Sequence, residues 1–528
     1  MHGNSPFFKQ FRLADSFLNS PWAAPAVLFS ACLIAYLNSF ANNFLLDDHI
    51  VLFGQQGVVH KSFFQIFAHD QGGDFYRPVG HLPLWVCSRL FAGHVLGYHI
   101  FNFLLFFLIV FLFRKIVWHL SSDKPLAFWA ALLYAVHPIN GFLVNYVTAS
   151  IIATFVLCMQ GSFLYFVKFS DTAKKSDYAL SLILFVLACF SHEIAVTLPV
   201  FLMAYLFFMK RGQGLRPAQF VLPYFVFIVF WFMGRMHEAA FHRRLYNIFS
   251  LGHIKALALV STWMNLTGWY LSKLFYPVDI LFLWSRKYGL DGFFPHVIVL
   301  CVLSAAFLYA FLKWKQGWKP LMLAVFLIGF LPTFLTCFGS MPFVRPFIEP
   351  HWFYFSQIGF FVMAALLLKA VIRKNAWIGG GLAAGVVVLL IGCCWNYNAQ
   401  WKGQETYSRY WLSLNTGNLT PYYGLGRVYM DRGDYSKAAH IFETGYRHLH
   451  VLDLDLAADW GHCLDVLGKT QKASDLLYTA KLMGPRSAIT EYYIGLYFLK
   501  RGRPQLAKQA FQKVMEWYPD NHWNMSLN

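Results

Sequence analysis

The sequence predicts an all-α protein in two parts: a polytopic membrane bundle over residues 1–395 and a soluble array of helix pairs over residues 396–528. Three observations carry this. Apolar runs of roughly 20 residues recur through the first part, the length that crosses about 30 Å of hydrocarbon. Of the 528 residues, 58% are hydrophobic and only 13% charged, whereas a water-facing surface calls for about 25% charged residues. Residues 1–395 hold 28 Lys and Arg against 13 Asp and Glu, but residues 396–528 hold 15 against 12, the balance of a soluble domain.

Taken in order, Lys9 and Arg12 precede an apolar run starting near Trp22 that reads as an uncleaved first span. About eleven spans follow from the pattern: 22–41, 98–118, 126–144, 147–167, 178–191, 194–209, 218–234, 294–312, 320–337, 352–370 and 376–395. Arg114, Lys115, Lys124, Lys168, Lys174, Lys175, Lys210, Arg211, Arg216, Lys313, Lys315, Lys319, Lys369, Arg373 and Lys374 gather in alternate loops and, with Lys9 and Arg12, mark one cytoplasmic side. The N-terminus is then cytoplasmic, and loops 42–97, 235–293 and 338–351 emerge with the tail on the opposite face. Segment 255–275 is apolar but interrupted by Lys255, Gly268, Tyr270 and Lys273, which suits an interfacial or re-entrant helix. If it spans, the tail moves to the cytoplasm. Orientation accounts for most of the +18 net charge, so no nucleic-acid partner is expected. The nine cysteines show neither a CxxC pair nor regular spacing, against a disulfide framework or a zinc site.

In the tail, Gly426, Gly461 and Gly495 recur at intervals of 35 and 34 residues. Each is followed at matching offsets by a second glycine, an alanine and a large apolar residue: Gly433, Ala438, Phe442; Gly468, Ala473, Leu477; Gly502, Ala507, Phe511. This is the tetratricopeptide pattern, in which small residues let paired helices approach and large ones fill the interface. About three repeats over 420–519, with Pro519 closing the third, build a short solenoid whose groove suits an extended peptide, or serves as a structural scaffold.

The acids of the membrane part are few. Those expected opposite the cytoplasm are Asp47, Asp48, Asp70, Asp74, Glu193, Glu238, Asp279, Asp291 and Glu349. Asp47 and Asp48 directly follow the first span, where adjacent carboxylates repel and raise a pKa unless a cation or hydroxyl is bound. They suit a general base or a metal ligand, or else a solvated loop start or helix cap. Glu193 opens a span after His192 and needs a partner at that depth, either as a structural counter-ion or as an acceptor-site residue. His137, beside Pro138, either closes a helix or binds a ligand. No cluster has a spacing that dictates a metal, leaving Mg²⁺ or Mn²⁺ open.

The Asp47–Asp48 pair after the first span resembles the mark of GT-C glycosyltransferases, membrane enzymes that use polyprenyl-phosphate-linked sugars. More narrowly, Tyr76-Arg77-Pro78, Gly97-Tyr98-His99-Ile100-Phe101-Asn102, the stretch Ala130 to Pro138, Ser191-His192-Glu193 through Val200, and Leu271 to Pro277 resemble the transmembrane and tetratricopeptide repeat-containing family. The likeness runs in chain order from Asp47 to about Gly359. It implies O-mannosyltransferase-like activity: mannose moved from a polyprenyl-phosphate donor to Ser or Thr of exported proteins. The chain departs from the pattern where the family usually has an acid four residues past the proline and an arginine eight further on. Phe142 and Ser150 stand there, and His351 replaces an arginine before the cluster Trp352-Phe353-Tyr354. A bacterial relative using an undecaprenyl-phosphate sugar in the inner membrane, with periplasmic repeats, fits these departures.

An inverting transfer needs a base for the acceptor hydroxyl and cations for the leaving phosphate. With the resemblance included, Asp47 or Asp48 is the base. Arg77, Arg243, Arg244 and Arg345 are the candidate phosphate ligands, since guanidinium binds phosphate bidentately. His351 either bonds the donor phosphate or is a satisfied interfacial histidine, and Tyr354 is an acceptor-site or structural residue. The partners implied are the polyprenyl-phosphate sugar, membrane lipid and an exported protein held by the repeats. The alternatives are a glycan or lipid acceptor, or a non-catalytic membrane scaffold for envelope assembly.

Overall fold

The computed structural model describes residues 22–54, 57–68, 76–210, 216–236, 256–281, 283–285, 301, 305, 317–334, 347–355, 357–414 and 417–517. It divides into two compact units, one of residues 1–42 and 61–401, the other of residues 43–60 and 402–528. The sequence places the division at residue 395 and leaves 42–97 as one loop. The structure instead gives the first part of that loop to the tail's unit.

The first unit is a helical membrane bundle. Its helices are α1 (Ala23–Tyr36), α2 (Phe63–Phe67), α3 (Pro78–Phe91), α4 (Val95–Ser121), α5 (Lys124–Ala135), α6 (Phe142–Asn145), α7 (Ser150–Thr172), α8 (Lys175–Cys189), α9 (Leu198–Met209), α10 (Leu222–Arg235), α11 (Ala256–Phe275), α12 (Trp318–Ile328), α13 (Gln357–Lys374) and α14 (Ala376–Gln400). Among the described residues five segments are long and apolar enough to cross a membrane: Ala23–Ala41, Val95–Ser121, Val147–Thr172, Ala218–Arg235 and Ala376–Gln400. A sixth arises if α5 and the bent segment Pro138–Asn145 form one span.

The remaining expected spans come out differently. Segment 178–191 falls mostly on α8, of 15 residues, which ends at Cys189. Segments 194–209 and 320–337 become the shorter apolar helices Glu193–Met209 and Trp318–Phe334. Segment 352–370 shifts to α13, whose last turn carries Arg373 and Lys374. Segment 255–275 is one 20-residue helix, α11. Segment 294–312 lies outside the described residues apart from Cys301 and Ala305.

Local chemistry sets the ends of these helices. Asp123 caps α5 by accepting from the Leu126 amide at 2.9 Å, and its other oxygen pairs with Lys369 of α13. The bend of 62° after α5 falls at Pro138, which has no N–H to continue the helix. A ladder of buried amides gathers near Asn42. Asn42 donates to Asn145 at 2.9 Å, Asn145 to Asn398 at 2.7 Å and Asn398 to Asn38 at 2.8 Å. In a low-dielectric bundle such bonds tie α1, α6 and α14 together at one end. A two-residue antiparallel ladder pairs Trp284 with Ile348 and Ser285 with Phe347.

In the second unit, α15 (Gln404–Ser413) precedes three helix pairs: α16 (Thr420–Asp431) with α17 (Tyr435–Leu449), α18 (Leu454–Val466) with α19 (Thr470–Met483), and α20 (Ala488–Lys500) with α21 (Pro504–Trp517). Each pair turns on a glycine in the left-handed region, Gly433, Gly468 and Gly502, with φ of 75°, 77° and 66°, a conformation that costs glycine nothing. Between the pairs, Ala438, Ala439, Phe442, Leu456, Cys463, Leu464 and Ala473 form a shared core.

Candidate active site

Residues 43–60 carry the adjacent acids on a tight turn of the second unit. The Asp48 amide donates to the Leu45 carbonyl at 2.9 Å, and the Leu45 amide returns a bond to Asp48 Oδ2 at 3.0 Å. Leu46 takes a φ of 51°, unusual for a residue with a side chain. The two carboxylates are thereby distinguished: Asp48 is fully buried and serves the turn, whereas Asp47 is exposed. Sequence alone left them equivalent.

The first unit assembles a separate charged cluster. Proline at 78 disfavours helix at the preceding residue, and Arg77 accordingly leaves the start of α3 at φ −130°, ψ 57°. Its guanidinium meets Glu193, with Nη2 at 2.6 Å and Nε at 3.1 Å from Oε2. Glu193 opens a short 3-10 turn that His192 caps, Nδ1 accepting from the Ile194 amide at 3.2 Å. Arg235, in the last turn of α10, reaches the other carboxylate oxygen at 3.2 Å and stacks on Trp231 with 4.6 Å to the ring centre. All three are largely shielded, with side-chain exposures of 15% for Arg77, 17% for Glu193 and 8% for Arg235. Two guanidinium groups thus meet on one carboxylate.

Beside it, His351 lies with its ring centre 4.9 Å from that of His192 and Nε2 3.4 Å from Glu349 Oε2. Glu349 also accepts from Trp352 Nε1 at 3.0 Å. Burial, and then the charge of Arg77, push the His351 pKa down to about 3. A neutral imidazole there can still offer an N–H to an acceptor oxygen, so both of its expected roles stand. Phe142 lies against it in a stacked orientation, centres 6.5 Å apart. Two of the three departures named from the sequence, Phe142 and His351, are thus neighbours.

The other expected residues divide clearly. His137 is spent on backbone, Nε2 at 3.2 Å from the Leu274 carbonyl and Nδ1 accepting from the Ile139 amide at 3.3 Å. Tyr354 is fully buried and donates to the Ile139 carbonyl at 3.2 Å. Arg243, Arg244 and Arg345 lie outside the described residues. Among the described residues no three His, Cys, Asp or Glu converge as metal ligands. Arg235 escaped the sequence reading because a basic residue ending an apolar run looks like an interfacial anchor; a basic residue one span away from a lone intramembrane acid is the signal that would have found it.

No protein-family model matches the chain. It is similar to a protein O-mannosyl-transferase of Caenorhabditis elegans, 24% identical over 436 residues. That match covers 77% of this chain and 60% of the relative's length.

The tail holds a polar cluster that its glycine period did not disclose. Asp459 of α18, fully buried, receives Arg427 Nε of α16 at 2.7 Å and the Tyr493 hydroxyl of α20 at 2.9 Å. His462 stacks on Tyr493 at 4.3 Å, nearly parallel at 4°. One carboxylate thus joins the first helices of all three pairs. Asp453 and Asp455 lie nearby, and burial and neighbouring aspartates raise their pKa values.

Proposed function

We propose that this chain is a membrane O-glycosyltransferase of the GT-C kind that moves a hexose, with inversion, from a polyprenyl-phosphate donor to Ser or Thr hydroxyls of exported proteins. Asp47 takes the hydroxyl proton as general base. Arg77 and Arg235 hold the donor phosphate, exchanging part of their hold on Glu193 for phosphate oxygens, since guanidinium in a shielded site bonds phosphate strongly. The three helix pairs form a tetratricopeptide solenoid that recruits the acceptor. About eleven spans place both parts of the second unit on the periplasmic face of a bacterial inner membrane.

The reading of the donor is carried by the Arg77–Glu193–Arg235 cluster. Two guanidinium groups gathered in a shielded place suit a phosphate, and a lipid-linked sugar phosphate is an anion delivered within the bilayer. The similarity over 436 residues supports the transfer. The test is the full chain in lipid nanodiscs with undecaprenyl- or dolichyl-phosphate mannose and a Ser/Thr-rich acceptor, read by glycopeptide mass. Hexose on Ser or Thr is the expected result. Donor turnover without labelled protein would move the acceptor to a glycan or lipid, and no turnover of either donor would leave a scaffold.

A further inference from the structure

The turn that bears Asp47 is held by the tail. Leu46 sits immediately before Asp47 with φ of 51°, a conformation that a non-glycine residue keeps only where its surroundings enforce it. The enforcing group comes from far along the chain. Leu46 donates its amide to Gln404 Oε1 at 3.0 Å, across 358 residues of sequence, and Asn43 Nδ2 donates to the Lys402 carbonyl at 3.1 Å. Gln404 is fixed in turn. Its Nε2 donates to Ser408 Oγ at 3.2 Å, one turn along α15, and occupies the space a side chain at Gly424 would fill, 2.2 Å from the site of such a Cβ. Gly424 lies in α16, the first helix of the repeat array. Glu405 of the same α15 binds Arg409 at 2.9 Å and, beyond the end of α16, Arg432 at 2.6 Å. The Asp47 turn, α15 and α16 therefore form one mechanically linked piece.

We propose that Gln404 is a positioning residue for Asp47, so that the repeat domain sets the aim of the base as well as recruiting the acceptor. This rests on Asp47 being the base. If Leu46 loses its partner, its φ relaxes toward negative values and the next peptide rotates, swinging the Asp47 side chain. A misplacement of about 1 Å is enough to cost ~10²-fold in rate. The small residue at 424 is part of the device, because any side chain there displaces Gln404.

The test uses the full chain in nanodiscs, with Gln404→Ala, Gln404→Glu, Gly424→Ala and Asp47→Asn, read by transfer kinetics and by hydrogen exchange of the 43–54 peptide. Gln404→Ala is expected to lower kcat by ~10- to 10²-fold, with donor KM little changed, faster exchange in 43–54 and unchanged exchange in 420–517. Gly424→Ala should reproduce it. Gln404→Glu, which still offers an acceptor oxygen to Leu46, should restore most of the rate and the protection. Unchanged exchange at 43–54 in Gln404→Ala, or equal loosening of 420–517, overturns the assignment. If Asp47→Asn abolishes transfer while Gln404→Ala does not, the positioning role alone falls. If Asp47→Asn keeps full activity, the base assignment falls and takes this role with it.

Discussion

Two neighbouring aspartates of identical chemistry receive different tasks because one of them completes a turn. Asp48 accepts the Leu45 amide from a buried position, while Asp47 is exposed. Asp47→Asn is therefore expected to leave the chain folded and to cut transfer by at least ~10²-fold, the usual effect of losing a general base. Asp48→Asn, whose amide oxygen can still accept from Leu45, should keep most activity, whereas Asp48→Ala should cost about 1–2 kcal/mol of stability. Activity and thermal melts of the three variants check this. His351 gives a pH signature. Its pKa of about 3 lies below the usual 6.5, so the unfolded chain takes up a proton there that the folded chain refuses. The stability from the neutral ring is present above about pH 6.5 and is lost as pH falls below it, by at most about 1.4 kcal/mol per pH unit. The charged and titratable groups facing it are Glu349, His192, Arg77 and Glu193. Melts of the full chain at about pH 7.5 and pH 5 should show a smaller acid loss for His351→Gln than for the unsubstituted protein. An equal loss would mean that the ring is protonated in the fold.

At the scale of elements, the repeat pattern is a packing constraint that can be read in ångströms. A Cβ at Gly426 would lie 2.1 Å from Phe442 Cε1 and one at Gly495 2.4 Å from Phe511 Cε1, whereas at Gly461 the nearest atom is Leu477 Cγ at 3.0 Å. Phenylalanine rings locked in the helix-pair interface yield less readily than a leucine tip. Gly495→Ala is thus expected to destabilise its pair by about 1–3 kcal/mol, and Gly461→Ala by clearly less. Limited proteolysis of the full chain, scored over 486–517 and 452–483, measures the order. The same pairing of glycine with a large apolar residue was visible in the sequence, because both partners lie within one repeat. The Arg427–Asp459–Tyr493 bridge was not, since its members come from three different pairs and follow no period.

For the whole molecule, membership of one compact unit constrains topology. Residues 43–60 and 402–528 belong to one compact unit, which on the proposed topology lies on one face, so an even number of crossings between Asn43 and Lys402 is the expectation. Eleven spans in all satisfy this; making α11 an additional crossing does not. A cysteine label near Asp47 and a reporter after Asn528 should therefore report the same face, and opposite faces would break the unit apart. The linkage also changes what truncation does. Ending the chain after Gln400 removes Gln404, the partner of Leu46. Such a chain should still bind the donor through Arg77 and Arg235 but lose both transfer and donor hydrolysis, as donor-binding and turnover assays on the same preparation would show. The sequence by itself determined what depends on neighbours in the chain: the apolar runs from hydrocarbon thickness, the repeat from its glycine period, and the Asp47–Asp48 and Arg77–Pro78 landmarks from local chemistry. Tertiary structure alone decided which acid is exposed, that Arg235 joins Arg77 on Glu193, that His351 is buried beside Glu349, and that residues 43–60 belong with the tail. Each of these is set by burial or by a bond across tens to hundreds of residues, and no periodicity in the chain encodes such a pairing.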